Sequence, residues 1–273
     1  MTSAPVTIRS KPDDAVLDAG RHWRAKLGFV VLAMEQTVEA DVFRMTPDNV
    51  GVHFTRMPMS NDVTFEALAG MAPGIAAAGS LLLPEDRLDV LCYTCNSGTM
   101  VIGESAVMAA LDDGKRVGKT TTVMTGVVRA LAAVGARTIS VATPYPDAVN
   151  SIVHGFLSSY GFKIAEFQGL NLKRNTDIDR VTPGFLRGYA RSVDRPEAEA
   201  VFVCCGALRA LDIVADLEAE LGKPVIVSNQ GMMWDCLRLA GISDCLPGTG
   251  RLFSLGIDDH KAAVARLAER RPS

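Results

Sequence analysis

A chain of 273 residues is long enough for one large domain or two of ordinary size, and its 48% hydrophobic and 22% charged residues are typical of a well-filled globular core. Its net charge of −3, without a basic cluster, gives no electrostatic footprint for nucleic acid, and no apolar run reaches the roughly 18 residues of a membrane-spanning helix. The start of the chain lacks the basic and apolar regions of a secretory signal. We therefore expect a cytoplasmic protein with neither nucleic-acid nor membrane partners.

The first part of the chain predicts alternating strands and helices after a polar arm at residues 1–25. Continuous apolar runs, which are typical of strands buried on both faces, alternate with helical patterns. We predict strands at residues 27–34, 50–56 and 88–95, helices at 35–46, 63–80 and 99–111, and a turn at 112–116.

The rest of the chain continues the alternation. We predict strands at residues 138–143, 162–166, 200–204 and 224–228, and helices at 120–134, 146–160, 183–193, directly after Cys205, and from Asn229. The helix after Cys205 has leucine and valine at spacings of three and four residues, with charged residues between them. Such alternation predicts an α/β fold in which helices cover both faces of a parallel sheet.

The order of strands and helices repeats, which predicts two Rossmann-like halves. Cys95 is separated from Cys205 by nearly the same number of residues as Met34 is from Thr143. We expect a pseudo-twofold axis between the halves, and we expect the last strand and helix to pack back on the first half. The predicted domains are residues 1–118 together with 226–273, and residues 119–225. The active site is expected in the cleft between them, a common place for a ligand pocket.

Six cysteines, at positions 92, 95, 204, 205, 236 and 245, are the most informative residues of the chain. Four of them lie in or at the ends of apolar strand patterns, which argues against a disulfide framework. Cys92 and Cys95 have the spacing of a redox motif, but Cys92 falls within the predicted strand. No histidine is close in sequence to either cysteine pair, so we expect no zinc site.

Cys95 and Cys205 each follow a predicted strand and precede a predicted helix, which is where open α/β sheets bind ligands. The N–H groups of a helix's first turn form an anion site and lower the pKa of a thiol. We expect the two thiols to face one pocket, one as base or nucleophile and the other as acid. The small residues that let a ligand approach are Asn96 and Ser97 after the first thiol, and Gly206 and Ala207 after the second.

Structural interpretations of the same residue types stay open. Free cysteines are often small buried hydrophobes, and this is our interpretation of the other four. Tyr145 follows the strand at 138–143, where its phenol either donates to a carboxylate or enolate or packs at the sheet edge. The group Ser228, Asn229 and Gln230 either caps a helix or belongs to the site.

Four short motifs, in this order and at these spacings, resemble the maleate cis–trans isomerase family over residues 28–241. They are Cys95-Asn-Ser-Gly-Thr, Thr143-Pro-Tyr, Cys205-Gly-Ala-Leu and Ser228-Asn-Gln. That family lies in the aspartate/glutamate racemase superfamily, which also holds arylmalonate decarboxylase. The resemblance implies two Rossmann-like halves that contribute one cysteine each to a central site, and it implies no metal and no organic cofactor.

The resemblance also implies roles for individual residues. Cys95 resembles the family's nucleophile, Cys205 its acid/base, Tyr145 its carboxylate-binding tyrosine and Asn175 a substrate-binding asparagine. In maleate isomerases a thiolate adds to the double bond, the resulting single bond rotates, and elimination gives the trans product. Racemases instead move a proton between the two faces of a carbon. Arylmalonate decarboxylase keeps only the second cysteine, so the presence of both here argues against its chemistry.

Glu35 departs from the isomerase pattern, in which an asparagine at this place binds a substrate carboxylate. A glutamate there repels a second substrate carboxylate unless it is protonated, and it attracts an ammonium group or an amide N–H. The sequence Glu35-Gln-Thr resembles the ectoine-utilisation branch of the family, which implies an amino-acid derivative as substrate.

We therefore expect a cofactor-independent isomerase or racemase that acts on a small dicarboxylate or amino-acid derivative through Cys95 and Cys205. The expected substrate-binding residues are Glu35, Asn96, Ser97, Tyr145, Asn175, Gly206 and Ala207. The alternatives are a decarboxylase that uses Cys205 alone and a catalytically inactive ligand-binding protein of ectoine catabolism. The expected partners are a small-molecule carboxylate substrate and, in a homo-oligomer, further copies of the chain.

Overall fold

Two four-stranded parallel sheets form the framework of the computed structural model, which describes residues 15–112 and 117–270. The first sheet contains β1 (Ala25–Leu32), β2 (Val50–Met57), β3 (Leu88–Tyr93) and β4 (Val117–Thr122), in the order β2-β1-β3-β4. The second contains β5 (Thr138–Thr143), β6 (Lys163–Gly169), β7 (Ala200–Val203) and β8 (Val225–Val227), in the order β6-β5-β7-β8. The identical order confirms the predicted α/β fold with two Rossmann-like halves. The predicted arm and turn lie mostly outside the described residues.

Helices connect the strands. They are α1 (Val38–Arg44), α2 (Phe65–Ala69), α3 (Gly74–Ser80), α4 (Asn96–Ile102), α5 (Glu104–Leu111), α6 (Val123–Ala133), α7 (Asp147–Ser159), α8 (Asn175–Ile178), α9 (Pro183–Val193), α10 (Val214–Leu221), α11 (Ser228–Leu239) and α12 (Ile257–Arg270). Short 3-10 helices occupy Leu211–Ile213 and Arg251–Ser254. Within residues 15–112 and 117–270, no helix has the length and apolar character needed to cross a membrane.

The strands inside each sheet are apolar on both faces, and this explains their position. Phe29, Val30 and Val31 in β1 are fully buried, as are Val141 and Ala142 in β5. β1 pairs in parallel with β2 and β3, and β5 pairs in parallel with β6 and β7. Parallel pairing aligns the carboxyl ends of the strands, so the segments that follow them gather at one edge of each sheet.

Three predicted helices are wrong in their extent. The helix predicted at 63–80 is two helices, α2 and α3, and Pro73 stands immediately before α3. The helix predicted at 99–111 is interrupted at Gly103, whose φ of 97° lies outside the helical region. The first three residues of the helix predicted at 120–134 belong to β4, because β-branched threonines favour a strand.

The segment after Cys205 also differs from its prediction. Turns follow Cys205, and helical structure begins only at Leu211 and continues as α10. The last predicted strand is β8, which pairs with β7 in the second sheet and not with the first half. The helix that follows, α11, contacts α1, β3 and β4 of the first half, as expected. The proposed domain boundaries at 118/119 and 225/226 stay a prediction.

The C-terminal helix α12 has no predicted counterpart, and a buried ionic cluster holds it in place. Asp235 of α11 is fully buried and accepts hydrogen bonds from Arg129 (3.0 Å), His260 (2.6 Å) and Thr121 (2.7 Å). Burial opposes the ionisation of Asp235, but the charge of Arg129 and the hydrogen bonds outweigh it and lower the pKa of this carboxyl. The cluster therefore joins α12 to α6, α11 and β4.

Candidate active site

One cavity between the two sheets is lined by all nine predicted site residues. They lie in the segments that follow β1, β3, β5, β6 and β7. The residues are Glu35, Cys95, Asn96, Ser97, Tyr145, Asn175, Cys205, Gly206 and Ala207. The cavity is narrow, with a volume of about 30 Å³. The structure brings the predicted residues together, while their roles stay predictions.

Cys95 follows β3 and forms the N-cap of α4 with an extended backbone (φ −92°, ψ 116°). Its sulfur accepts a hydrogen bond from the backbone N–H of Gly98 (3.2 Å) and lies 3.7 Å from the Ser97 hydroxyl. The residue is 8% exposed. The predicted geometry, a thiol that faces the N–H groups of a helix's first turn, is therefore present at this joint.

Burial sets the protonation state of Cys95. It raises the pKa of the thiol, although hydrogen bonds from the Gly98 N–H, Ser97 and Tyr93 favour the thiolate. The expected lowering of the pKa is therefore wrong, because the loss of hydration outweighs the N–H groups of the helix. Tyr93 was not among the predicted site residues, since its place in an apolar strand pattern indicated only a core ring.

Cys205 follows β7 with a different backbone conformation. Its φ of 108° lies in the left-handed region that residues other than glycine rarely adopt. Its N–H donates to the Ser228 hydroxyl (2.9 Å), and the Ala207 N–H donates to its sulfur. The next helical residue is Leu211. The expectation of a helix N-terminus beside the second thiol is therefore wrong, and turn N–H groups face this sulfur instead.

Burial raises the pKa of the Cys205 thiol to about 12, although hydrogen bonds from Tyr145 and the Ala207 N–H oppose the shift. The negative charge of Glu35 acts in the same direction as burial on both site thiols. Tyr145 is 3% exposed, and burial raises the pKa of its phenol far above the ordinary value. Tyr145 therefore stays a neutral hydrogen-bond donor beside Cys205 at neutral pH.

Asn96 joins the two thiol-bearing segments. Its amide oxygen accepts a hydrogen bond from the Gly206 N–H (3.1 Å), and its amide nitrogen donates to the Ser228 hydroxyl (2.8 Å). Ser228 in turn accepts the N–H of Cys205 (2.9 Å). Both polar groups of the Asn96 side chain are thus engaged within the protein. Asn96 therefore helps to position the segment that carries Cys205. Ser228, the first residue of α11, also contacts this segment.

A second set of hydrogen bonds crosses between the halves behind Gly206. The Thr37 hydroxyl donates to the Ala207 carbonyl (2.9 Å). The Asn229 amide nitrogen donates to the Gly206 carbonyl and to the Asp41 carboxylate, both at 2.8 Å. A Cβ atom at Gly206 would lie 2.8 Å from the Asn229 oxygen, so a larger residue does not fit here without movement. Contacts between the halves therefore fix the backbone next to the second thiol.

Glu35 lies after β1 and is 8% exposed. Its oxygen Oε1 accepts hydrogen bonds from the backbone N–H groups of Gln36 (3.0 Å), Thr37 (2.7 Å) and Val38 (3.2 Å). Arg56 donates to the backbone carbonyl of Glu35 (2.8 Å). Burial raises the pKa of Glu35 in spite of the three N–H groups and the charge of Arg56.

Asn175 lines the cavity where two loops meet. The Val63 N–H donates to the Lys173 carbonyl, and the Asn175 N–H donates to the Asn61 carbonyl, both at 3.0 Å. The Asn175 amide nitrogen lies 3.4 Å from the Asp179 carboxylate. These contacts join the loop after β2 to the loop after β6 beside the cavity.

The loop between β2 and α2 also brings Met59, Asp62 and Val63 into the cavity lining, and sequence reasoning missed all three. No motif marks them. The available signal was their position, since a segment that follows a parallel strand lies at the same sheet edge as the segments that carry the thiols.

Known proteins are similar to this chain over most of its length. The sequence pattern of the arylmalonate decarboxylase family matches residues 104–253, more than half of the chain. Maleate isomerase of Nocardia farcinica is 28% identical over 240 residues, which cover 84% of this chain and 95% of that protein. Arylmalonate decarboxylase of Bordetella bronchiseptica is 32% identical over 139 residues, which cover 49% of this chain and 57% of that protein.

The structural likeness is equally broad. A cysteine-to-serine variant of the Nocardia farcinica maleate cis–trans isomerase, solved with a covalently bound succinylcysteine intermediate, has a TM-score of 0.77 and 27% identity, over 84% of this chain and 98% of that one. Two similar α/β halves with one cysteine each at a shared cavity define the class of this protein. The chain belongs to the family of arylmalonate decarboxylase and maleate isomerase.

Proposed function

We propose that this protein is a cofactor-independent isomerase that acts on a small carboxylate substrate through Cys95 and Cys205. The observation that carries the proposal is a narrow cavity lined by one thiol from each half. Two relatives that match 84% of this chain are maleate isomerases. In a solved structure of a maleate isomerase, a succinyl group is bound to a cysteine. Two thiols suffice for the bond changes of such a reaction.

In the proposed cis–trans isomerisation, the Cys95 thiolate forms a C–S bond to one alkene carbon. The π-electron pair moves to the neighbouring carbon as an enolate, and Cys205 gives its proton to that carbon. The saturated adduct rotates about its C–C single bond. The Cys205 thiolate then removes a proton, the π bond forms again, and the C–S bond breaks to return the Cys95 thiolate. Electrons and protons balance over the cycle.

Neighbouring side chains support these steps. Tyr145, a neutral donor, hydrogen bonds to a substrate carboxylate or to the enolate oxygen. Ser97 stabilises the Cys95 thiolate, and Asn175 donates to the substrate from the loop side. Because burial raises the pKa of both thiols, the thiolate forms only when a bound substrate or a higher pH favours it.

Single cysteine substitutions test the proposal. We expect Cys95→Ser and Cys205→Ser each to lower kcat on the order of 10³-fold or more, because each removes a bond-forming or proton-transfer group. Cys245→Ser is the matched control, since Cys245 is exposed and lies away from the cavity lining. Activity is followed by proton NMR in deuterated water with maleate, aspartate, glutamate and ectoine-derived amino acids. Full activity of Cys95→Ser would contradict the proposal.

Racemisation would use the same two thiols. Proton NMR in deuterated water distinguishes it from cis–trans isomerisation. One thiolate removes an α-proton from one face of the substrate, and the opposite thiol returns a proton to the other face. This reaction exchanges the α-hydrogen of an amino acid for deuterium, whereas cis–trans isomerisation changes the geometry of an alkene. We infer that the enzyme works in the cytoplasm. We also infer that it is a homo-oligomer, and light scattering of the purified protein measures its oligomeric state.

Decarboxylation is a second candidate because the arylmalonate decarboxylase pattern spans residues 104–253 and includes Cys205. In that reaction Cys205 alone delivers a proton to the carbanion that loss of carbon dioxide leaves. Carbon dioxide release from an arylmalonate that persists in Cys95→Ser would favour it. Tight ligand binding with unreactive thiols and no deuterium exchange would instead indicate an inactive ligand-binding protein.

A further inference from the structure

The charged side chains in the described part of the cavity lining are acidic. Glu35 carries a buried carboxyl group and Asp62 a solvent-exposed one, and the lining contains no lysine, arginine or histidine. In a narrow site with buried walls, like charges repel more strongly than in bulk water, and a buried anion needs a positive partner. The composition of this cavity therefore disfavours a ligand with two negative charges.

Glu35 has one oxygen that is fixed and one that is free. Three backbone N–H groups hold Oε1, at 2.7 to 3.2 Å, so the carboxylate keeps one orientation. Oε2 accepts no hydrogen bond from the described residues, although Glu35 is only 8% exposed and lines the cavity. Because Glu35 lines the cavity, its unpaired Oε2 is available to accept a hydrogen bond from a ligand.

Groups around Glu35 strengthen the negative potential. Gln36 donates to one oxygen of Asp179 (3.1 Å), while the other oxygen of Asp179 is buried without a hydrogen-bond partner. Burial and the charge of Glu35 raise the pKa of Asp179 to about 6. Arg56 does not line the cavity, because its N–H groups are turned to backbone carbonyls and to Glu39 (2.9 Å).

We propose that the substrate has a carboxylate at one end and an N–H donor, an ammonium group or a primary amide, at the other, and that Oε2 of Glu35 accepts a hydrogen bond from this donor. The proposal deepens the proposed function and rests on the same two-cysteine cavity. Tyr145 provides a donor for the carboxylate end. A donor beside Glu35 also offsets the negative charge that disfavours thiolates at Cys95 and Cys205.

Maleamate is the matched probe, because an amide replaces one carboxylate of maleate and the shape is almost unchanged. A second probe, (Z)-4-aminobut-2-enoate, tests an ammonium group in the same place. Dissociation constants are measured by calorimetry at pH 8 for these two compounds and maleate. We expect the wild-type protein to bind at least one of the two probes on the order of 100-fold more tightly than maleate.

Glu35→Gln separates the role of the charge from that of the fold, because glutamine keeps an oxygen for the three backbone N–H groups. We expect this variant to bind maleate more tightly than the wild-type protein does. Its dissociation constants for maleate and for the two probes should then differ by only a few-fold. Glu39→Gln is the control, since Glu39 is one turn away, paired with Arg56 and outside the cavity lining, and it should keep the full preference. Thermal unfolding verifies that the variants are folded. If Glu35→Gln does not fold, the dissociation constants of the wild-type protein for the two probes and for maleate still test the proposal.

Equal preference in the wild type and in folded Glu35→Gln, or tighter binding of maleate by the wild type, would overturn the proposal. Calorimetry does not depend on turnover. If the wild-type protein prefers the N–H probes over maleate and the cysteine variants remain active, only the two-thiol mechanism is contradicted. If the cysteines are essential but this preference is absent, only the role of Glu35 is contradicted.

Discussion

The two thiol-bearing segments follow equivalent strands but hold their sulfur atoms in different ways. Cys95 has an extended backbone and caps a helix, so its sulfur faces the Gly98 N–H. Cys205 has a φ of 108°, is followed by turns, and depends on Ser228 for the position of its N–H. Similar strand order therefore does not produce two similar half-sites.

This difference suits two different chemical roles. A sulfur with helix N–H donors is stabilised when it becomes negative, which a nucleophile requires. Burial raises the pKa of the Cys205 thiol to about 12, so this sulfur holds its proton until a basic carbon takes it. The first segment is thus suited to the nucleophile and the second to the acid, as the proposed function assigns them to Cys95 and Cys205.

Asn96→Ala breaks the link between the two segments and should have the largest effect of the substitutions outside the two thiols. The substitution leaves the buried Gly206 N–H without an acceptor and removes a donor from Ser228. We expect kcat/KM to fall on the order of 100-fold, because misplacement of a catalytic group by about 1 Å has such an effect. We also expect a loss of about 1–3 kcal/mol in the free energy of unfolding, from urea titration.

Ser97→Ala is the matched control for Asn96→Ala. It changes the neighbouring residue and one contact to Cys95, but it leaves the link to the second half intact. We expect a smaller loss of activity and almost unchanged stability. If both variants lose the same activity and stability, the Asn96 contacts do not couple the segments.

Much of the fold and of the site composition can be predicted from the sequence, and the reasons differ by residue. Continuous apolar runs locate β1, β3, β5 and β7, and a residue directly after such a strand lies at the ligand-binding edge. Cys95, Tyr145 and Cys205 are found in this way. β4 is harder, because a threonine-rich edge strand before a helical pattern resembles the start of that helix.

The electrostatics of the site cannot be predicted from local sequence. The helix N–H groups beside Cys95 predict a lowered pKa, whereas burial, which depends on the packing of both halves, raises it. The backbone of Cys205 also depends on a distant residue, because its N–H donates a hydrogen bond to Ser228. The role of Asn96 is also set by residues distant in sequence. Its position predicts a substrate-binding amide, but in the structure the amide is hydrogen bonded to Gly206 and Ser228.

The pH dependence of turnover tests whether burial governs the thiols. With the pKa of both thiols raised, the thiolate fraction grows as pH rises above neutrality, so we expect kcat/KM to increase up to about tenfold per pH unit between pH 7 and 9. Initial rates across this range measure it. In Tyr145→Phe, which removes a donor that favours the Cys205 thiolate, the pKa of Cys205 should rise further. A plateau of the wild-type rate below pH 7.5 would show that a thiolate already exists at neutral pH.

Glycine and alanine substitutions compare the backbones of the two segments directly. At Cys205 the φ of 108° favours glycine, so Cys205→Gly should be more stable than Cys205→Ala by about 1 kcal/mol. At Cys95 the φ of −92° suits any residue, so Cys95→Gly should be less stable than Cys95→Ala by about 0.5–1 kcal/mol. Urea unfolding of the four inactive variants gives both differences. The same sign at both positions would show that the backbones do not differ in strain.

Asp41→Asn tests the support behind the second segment and should have the smallest effect. Burial raises the pKa of Asp41 from 3.8 to about 6, although the Asn229 amide opposes the shift. Between these values the folded protein binds more protons than the unfolded chain, so stability falls as pH rises through this window and stays reduced above it. A neutral asparagine removes this penalty and can also donate to the unpartnered Asn229 oxygen. We expect Asp41→Asn to raise Tm at pH 8 by about 2–4 °C, with the advantage shrinking towards pH 4. A Tm that is lower than wild type at both pH values would show that the Asp41 charge itself holds Asn229 against Gly206.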